Sequence, residues 1–471
     1  MTTSLGNIGQ WTSGGTPSRA NPAYYGGGIP WVKTGELQDG WLVQTEEFLT
    51  EAGVKSSTAQ ILPKGTLLVA MYGATIGKLG ILGLEAATNQ ACAALLANGA
   101  TADVIPFVFH YLRSQRENLK RLGQGGAQPN ISQAVLKNFP CVMPPLPEQR
   151  RIVSKIEALT ARRRRAKEAL DAIPTLIERF RQAVLTSAFR GDLTAAWREK
   201  HKDVEPAEVL MQRIRNERRK KWRKSKYEEP VAANVTELPK LPQGWVWARA
   251  EEVCEIITKG TTPSADKLLA KDGDVPFIKV HNLTFGGHLD LSISATFISD
   301  ETHREELARS RVFPGDILMN IVGPPLGKVA LVPASYPEWN INQAIALYRP
   351  IFGLDPHFMC SYLLWNATTA RLARRAKATA GQWNLTLEVC RDLPVPLAPL
   401  AEQELIARTV RAAFQRCARI EGLTATLGSE VERLDRVILS KAFRGELVPQ
   451  DPTDERASAF LERISISFCS T

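Results

Sequence analysis

The stretch Pro144-Pro145-Leu146-Pro147-Glu148-Gln149 stops whatever precedes it and opens a long helical pattern, and Pro399-Leu400-Ala401-Glu402-Gln403 repeats that entry 254 residues later. Behind the first entry, Ile152, Ile156, Leu159, Ala166, Leu170, Ile173, Ile177, Phe180 and Val184 fall on steps of four and three, with Arg163 the one charged exception. Behind the second stand Ile406, Val410, Ala413, Ile420, Thr424, Leu427, Val431, Leu434 and Ile438, with Cys417 at the exceptional position. Both are heptad seams of the coiled-coil type. Ala188-Phe189-Arg190-Gly191-Asp192-Leu193 closes the first run and Ala442-Phe443-Arg444-Gly445-Glu446-Leu447 the second. A continuous helix over residues 148–189 would be roughly 60 Å long at about 1.5 Å per residue. Pro174 in one copy and Gly428 in the other predict a break, since both are poor helix residues. A lone amphipathic helix of that length needs a partner for its seam, and the other copy is the nearest candidate, so an antiparallel or crossed helix pair between two globules is expected.

Working outward, the repeat takes in about half the chain, which makes it the primary architectural fact. Gly14-Gly15-Thr16-Pro17-Ser18 answers to Gly260-Thr261-Thr262-Pro263-Ser264, and Ile29-Pro30-Trp31-Val32-Lys33 to Val275-Pro276-Phe277-Ile278-Lys279, both 246 residues on. Gly65, Leu68, Gly73, Gly77 and Lys78 answer to Gly315, Leu318, Gly323, Gly327 and Lys328 at an offset of 250. Asn89-Gln90 matches Asn342-Gln343 at 253, and Asn130-Ile131-Ser132 matches Asn384-Leu385-Thr386 at 254. Offsets that grow by small steps indicate one ancestral unit with short loop insertions. The globular part of each copy mixes short β-branched runs, at 66–71 and 316–322, with helical patches at 106–122 and 356–378, so the expected fold class is α+β.

Charge is unevenly placed. The chain has 471 residues, 59 Lys plus Arg against 49 Asp plus Glu, and a formal charge of +10. Residues 148–228 alone hold 23 basic against 12 acidic side chains, so this middle segment accounts for the excess. Within it lie Arg162-Arg163-Arg164-Arg165 and the dense run Arg213, Arg215, Arg218, Arg219, Lys220, Lys221, Arg223, Lys224 and Lys226. These could neutralise DNA phosphates, seat an acidic patch of a partner, or form a solvated helix face. No secretory signal precedes the first globule, and the apolar stretches at 62–84 and 317–332 are interrupted by Lys78, Lys328 and glycines, so a soluble cytoplasmic protein without membrane association is expected. The seven cysteines form no C-x-x-C pair and read as reduced core thiols.

Catalytic motifs are missing. Gly73-Ala74-Thr75-Ile76-Gly77-Lys78 is one residue short of a phosphate-binding loop and Leu79, not Ser or Thr, follows the lysine, so it reads as a structural turn. The six histidines are scattered without metal-ligand spacing, and no G-x-S-x-G elbow occurs. Met143-Pro144-Pro145-Leu146 and Gly323-Pro324-Pro325-Leu326 lack the polar first residue and aromatic last residue of an amino-methyltransferase motif. Neither a metal nor a cofactor is expected, and the chain alone is not expected to be an enzyme.

The ordered blocks together resemble the specificity subunit of type I restriction-modification systems over nearly the whole chain. They are Ser13 to Ser18 with Ile29 to Glu36, the Pro-Gly-Asp-Ile-Leu block at Pro314 to Leu318, the two Asn-Gln pairs, the Pro-Leu-x-Glu-Gln helix entries and the Ala-Phe-Arg-Gly-[Asp/Glu]-Leu closures. The resemblance implies two target-recognition domains, at residues 1–146 and 241–400, each reading half of a split double-stranded DNA site. It also implies spacer helices at 147–193 and 401–447 forming a pseudo-twofold coiled-coil ruler. A basic helix and linker would occupy 194–240 and a tail 448–471. Implied partners are two adenine-N6 methyltransferase subunits and restriction subunits that translocate DNA. The lead-in Leu241-Pro242-Gln243-Gly244-Trp245 has no counterpart before Met1, so a shortened first strand is expected in domain one. Two other readings stay open: a self-contained DNA methyltransferase or endonuclease with degenerate motifs, and a coiled-coil scaffold without a DNA role.

Residues identical in both copies cannot distinguish two different half-sites, so Gly73, Gly77, Asn89, Gln90 and their echoes are expected to hold the fold. Reading should fall where the copies diverge, at 38–60 and 112–128 in the first and 281–311 and 371–382 in the second. Side chains there and nearby that can meet base edges or phosphates are Lys33, Tyr72, Arg113, Arg116, Lys120, Arg121, Gln124 and Gln128, then Lys279, His281, Asn282, Arg371, Arg374, Arg375, Lys377 and Gln382.

Overall fold

A computed structural model describes residues 1–123, 129–221, 229–236, 238–270, 273–379, 382–459 and 461–463. The chain forms two compact units: unit one is Met1–Asp171 with Ala425–Thr471, and unit two is Ala172–Thr424. Each long helix therefore begins in one unit and ends in the other.

The two units are the same fold written twice. Unit one has a sheet ordered Trp11–Ser13, Cys92–Leu95, Leu67–Ala70, Leu79–Leu82 and Gly40–Leu42. Unit two has Cys254–Lys259, Ile345–Pro350, Ile317–Asn320 and Val329–Leu331 in the matching order. Beside each lies a three-stranded sheet whose long strand pairs in parallel with the strand of the other block, Val32 with Thr88 and Ile278 with Ile341. At this junction a Cβ on Gly14 would stand 2.0 Å from the Thr88 carbonyl and one on Gly260 1.9 Å from that of Ile341, so only glycine fits there. Thr16 bonds Gln90 and Thr262 bonds Gln343 across the same joint. These shared residues hold the fold, in line with their sameness. A short antiparallel pair closes each globule: Thr2–Ser4 with Pro140–Val142, and the longer Val246–Arg249 with Pro394–Leu397.

The helix entries and closures belong to the globular cores. In unit one Ile152 and Ile156 join Leu439 and Ala442 in the core under Phe107 and Leu112. In unit two Ile406 and Val410 join Leu185 and Ala188. Gln149 Nε2 donates to the Pro144 carbonyl and Gln403 Nε2 to that of Ala398, both at 2.8 Å, which ties each entry to the stop before it. The closing phenylalanines meet aromatic rings edge-on, Phe443 against Phe107 and Tyr111, and Phe189 against Phe358 and Tyr362.

Both long helices are unbroken, Leu146–Arg190 and Leu400–Phe443, which corrects the expected break at Pro174 and Gly428. One missing N–H does not end a helix whose flanking turns stay bonded. Within unit one the helices run antiparallel, since Arg163 and Lys167 on the first meet Asp435 and then Glu432 on the second. In unit two Arg181 grips Glu421 with both terminal nitrogens, at 3.0 and 2.8 Å, over the Phe414 ring. The seam is buried at the helix entries and closures and at Ile177 and Cys417. Phe180, Ile420, Leu427 and Leu434 stay exposed, because a helix pair covers a narrow stripe. The patch at 356–378 is also corrected: its helices are Pro356–Leu364 and Asn366–Arg375, after which Lys377–Thr379 turns into a strand.

Candidate nucleic-acid interface

The glycine turns carry the most divergent segments of each unit. In unit one Gly73 and Gly77 have φ of 62° and 75°, and Gly73 N bonds the Pro129 carbonyl while Tyr72 bridges Asn130. Arg116 donates Nε to the Gly77 carbonyl at 2.9 Å and pairs with Asp39. It thus draws together the turn, the helix Arg116–Leu122 and the loop before Gly40–Leu42. In unit two the corresponding turn passes through Val322–Gly323, and the hairpin of Lys377–Thr379 and Gln382–Asn384 adds to it as a sheet, Gly323 opposite Trp383. The turns are thus structural in both copies, with divergent chain laid against them.

The candidate side chains separate into bound and free groups. Lys33 pairs with Glu47 at 2.7 Å, and this bond raises its pKa. Arg113 is held by Asp435 at 2.7 Å and Arg116 by Asp39, both partly buried. Asn282 is fully buried: it donates to the Asp290 and Ile293 carbonyls at 3.0 and 2.9 Å and accepts from Lys279 N at 3.0 Å. Its hydrogen-bonding capacity is used inside the protein, so it holds a loop rather than presenting a donor outward. Arg371 reaches the Tyr362 hydroxyl at 3.3 Å beside the Trp247 ring, and Arg375 pairs with Asp392 at 2.9 Å. Lys120 makes an exposed pair with Glu117. Tyr72, Arg121, His281 and Arg374 are exposed, and no side-chain hydrogen bond or ion pair engages them among the described residues; the Lys279 side chain is half-buried. Gln124 and Gln128 lie outside the described residues, as do the side chains of Lys377 and Gln382.

The basic helix is largely committed as well. Ala207–Lys221 packs Ala207, Leu210, Met211 and Ile214 into the unit-two core. Arg215 bonds buried Glu252 at 2.9 Å, Arg218 bonds the Cys254 carbonyl at 2.9 Å, and Arg213 and Lys220 pair with Glu205 and Glu217. Arg223, Lys224 and Lys226 fall outside the described residues. Arg162, Arg164 and Arg165 stand exposed on the first long helix within unit one, Arg164 at 3.8 Å from Glu168 and Arg165 bonding the Ala161 carbonyl one turn back.

The family model for the type I restriction modification DNA specificity domain matches residues 1–173 and 242–427. The chain belongs to this family. It is similar to the specificity subunit of the type I restriction enzyme EcoDI of Escherichia coli, 28% identical over 373 residues, 76% of this chain and 75% of the relative. The EcoKI specificity subunit of E. coli strain K12 is 24% identical over 454 residues, 93% of this chain and 88% of that one. In fold it resembles the HsdS subunit of Thermoanaerobacter tengcongensis, at a TM-score of 0.59 and 20% identity over 95% of this chain and 97% of that chain. A chain from a structure concerning assembly and conformational transition of the type I R-M system gives 0.65 and 20%, covering 95% and 98%. As a specificity subunit, the chain has a non-catalytic part, the selection of DNA sequence. No described helix is long and apolar enough to cross a membrane.

For a specificity subunit, the sequence reading overlooked exposed aromatic rings beside these turns. Trp383 is 42% exposed on the added hairpin, Trp41 is 59% exposed after the Asp39 loop, and Lys328 lies over exposed Phe285. Tyr72 is the one Tyr, Trp or Phe among the sequence candidates, and the signal that would have found Trp41 and Trp383 is their place within or beside the divergent blocks.

Proposed function

We propose that the chain reads a bipartite double-stranded DNA site, one part through each unit, and positions two adenine-N6 methyltransferase subunits and restriction subunits on it in the cytoplasm. The observation that carries this reading is the duplicated turn, paired in each unit with a shared asparagine, Tyr72 with Asn130 and Val322 with Asn384, that follows shortly after each unit's divergent segment, 112–128 and 371–382 in sequence. One scaffold with two different surfaces is what two unequal half-sites require. Base reading falls to the exposed group, Tyr72, Arg121, His281 and Arg374, and to Lys279, Lys377, Gln382, Gln124 and Gln128. The paired Lys33, Lys120, Arg113, Arg116, Arg371 and Arg375, with Asn282, position those segments. Arg162, Arg164 and Arg165 supply phosphate contacts, which are salt-dependent and carry no sequence. Two weak readers on one chain gain affinity through effective concentration. The exposed apolar residues of the long helices, Leu176, Phe180, Ile420 and Leu423 in unit two and Leu427, Leu434 and Val437 in unit one, offer seats for partner helices.

Co-expression with the methyltransferase subunit and mapping of modified adenines tests this. The expected result is a split motif around a fixed gap, of which replacement of residues 241–400 changes one part only. A folded, co-purifying complex that modifies no sequence, or a replacement that alters both parts, would sink it.

A further inference from the structure

In unit two an indole seals the closure of the first long helix. Trp365 stacks on Phe189, ring centroids 5.6 Å apart at 27°, and donates Nε1 to Thr186 Oγ1 at 3.0 Å. Phe189 is only 4% exposed beneath it. Unit one repeats the surroundings of that ring without the ring. Phe443 meets Phe107 and Tyr111 edge-on as Phe189 meets Phe358 and Tyr362, and the hydroxyls of Tyr111 and Tyr362 donate to the carbonyls of Pro140 and Pro394. Phe107 and Phe358, like Tyr111 and Tyr362, lie 251 residues apart, so Ser114 answers to Trp365. On the closing helices the offset is 254, so Ser440 answers to Thr186 and Arg436 to Gln182. Where the indole would stand, unit one has a cleft of about 510 Å³, lined by Ser114, Arg436, Leu439, Ser440, Phe443 and Arg444 among others, and Phe443 is half-buried. The carboxylates on its wall are taken, Asp435 by Arg113, Asp39 by Arg116 and Glu117 by Lys120. Arg444 pairs with exposed Glu446 at 3.1 Å, whereas among the described residues no side-chain hydrogen bond or ion pair engages Arg436 or Ser440, both exposed. The cleft thus combines an open aromatic face, a hydroxyl acceptor and a guanidinium without a partner.

We propose that this cleft binds a free purine nucleotide, with the base stacked on Phe443, an N–H of the base donated to Ser440 and the phosphate held by Arg436 and Arg444. A purine supplies the flat bicyclic ring of the indole that fills the same place in unit two, and its N–H meets a hydroxyl as the indole N–H meets Thr186. The anion preference is new to unit one, since Arg436 stands where unit two has the neutral Gln182. A planar guanidinium matches two phosphate oxygens at once, which an indole slot alone would have no use for. Ser114, Arg436, Ser440, Phe443 and Arg444 have no part in the DNA reading proposed above.

The test uses the full chain and adenosine monophosphate, by calorimetric titration and thermal melting. The nucleotide should bind and raise the melting temperature. Ser114→Trp, which restores the unit-two residue, should fill the slot, raise the melting temperature without ligand and abolish the response. Arg436→Gln, also the unit-two residue, should weaken the nucleotide about tenfold for loss of a charge-assisted hydrogen bond and leave adenosine binding unchanged, which separates the phosphate from the ring. Because Arg436 is exposed, this variant carries the test even where Ser114→Trp does not fold. Ribose 5-phosphate, free tryptophan and a single-stranded deoxyadenylate oligomer are the comparators, and each should bind more weakly than the nucleotide. No binding by wild type, equal binding by wild type and a folded Ser114→Trp, unchanged affinity in Arg436→Gln, or a comparator that binds as tightly as the nucleotide overturns the proposal.

Discussion

Pro174→Ala should stabilise this protein, and the gain can be worked from the helix. Pro174 is exposed in the interior of Leu146–Arg190, where it withholds an N–H from the Leu170 carbonyl and sets its ring against it. Proline costs about 3 kcal/mol against alanine in such a position. Because the side chain is exposed, little packing is lost in exchange. With a urea m-value of about 3 kcal/mol/M, that gain moves the midpoint upward by about 1 M. Gly428→Ala is the matched control: a Cβ there meets nothing within 4 Å, and the gain should be about 1 kcal/mol, or about 0.3 M. The assay is urea unfolding followed by far-ultraviolet circular dichroism, with the modified DNA motif mapped for each variant and expected unchanged. A Pro174→Ala midpoint at or below that of wild type would refute the reasoning, since it would mean that the helix is interrupted at Pro174 and already free of the cost.

Two further outcomes follow from the interface and the core. Arg121→Ala should weaken DNA binding by the complex and lower the slope of log affinity against log salt by about one, whereas Arg113→Ala should lower the melting temperature by removing the nearer of the two arginines that meet Asp435 while leaving that slope unchanged. Burial, with Arg113 beside it, pushes the His110 pKa down to about 4, and Arg113 Nη1 stands 3.4 Å from its Nδ1. The unfolded chain binds this proton near pH 6.5 and the folded chain does not, so stability should fall as the pH drops from about 6.5 to about 4, by up to roughly 3 kcal/mol. His110→Phe should flatten that slope in an acid titration of the unfolding midpoint, and an unchanged slope would remove His110 as its cause.

Much of the architecture was legible in the residues. The repeat, the helix entries and closures and the α+β globules all follow from local pattern, because periodicity and punctuation by Gly and Pro act over a few residues at a time. The shared residues were also legible in the sequence, and the bonds of Thr16 to Gln90 and Thr262 to Gln343 are contacts that two of the shared pairs make. Individual site residues were less legible. Lys33, Arg113 and Asn282 satisfy the same chemical description as Arg121 and His281, yet the first three are spent on Glu47, Asp435 and two backbone carbonyls.

The sequence by itself therefore determined that one fold is written twice, that each copy enters and leaves a long amphipathic helix, and where the copies diverge. Only the tertiary structure decided which cations remain free, that the basic helix is tied to the unit-two core, and that the Trp245 indole caps buried Glu402. The reason is physical. Helix and strand patterns are set by neighbours three or four residues away, whereas the availability of a charge depends on partners as distant as Arg113 from Asp435 or Trp245 from Glu402, which only the folded chain brings within bonding distance.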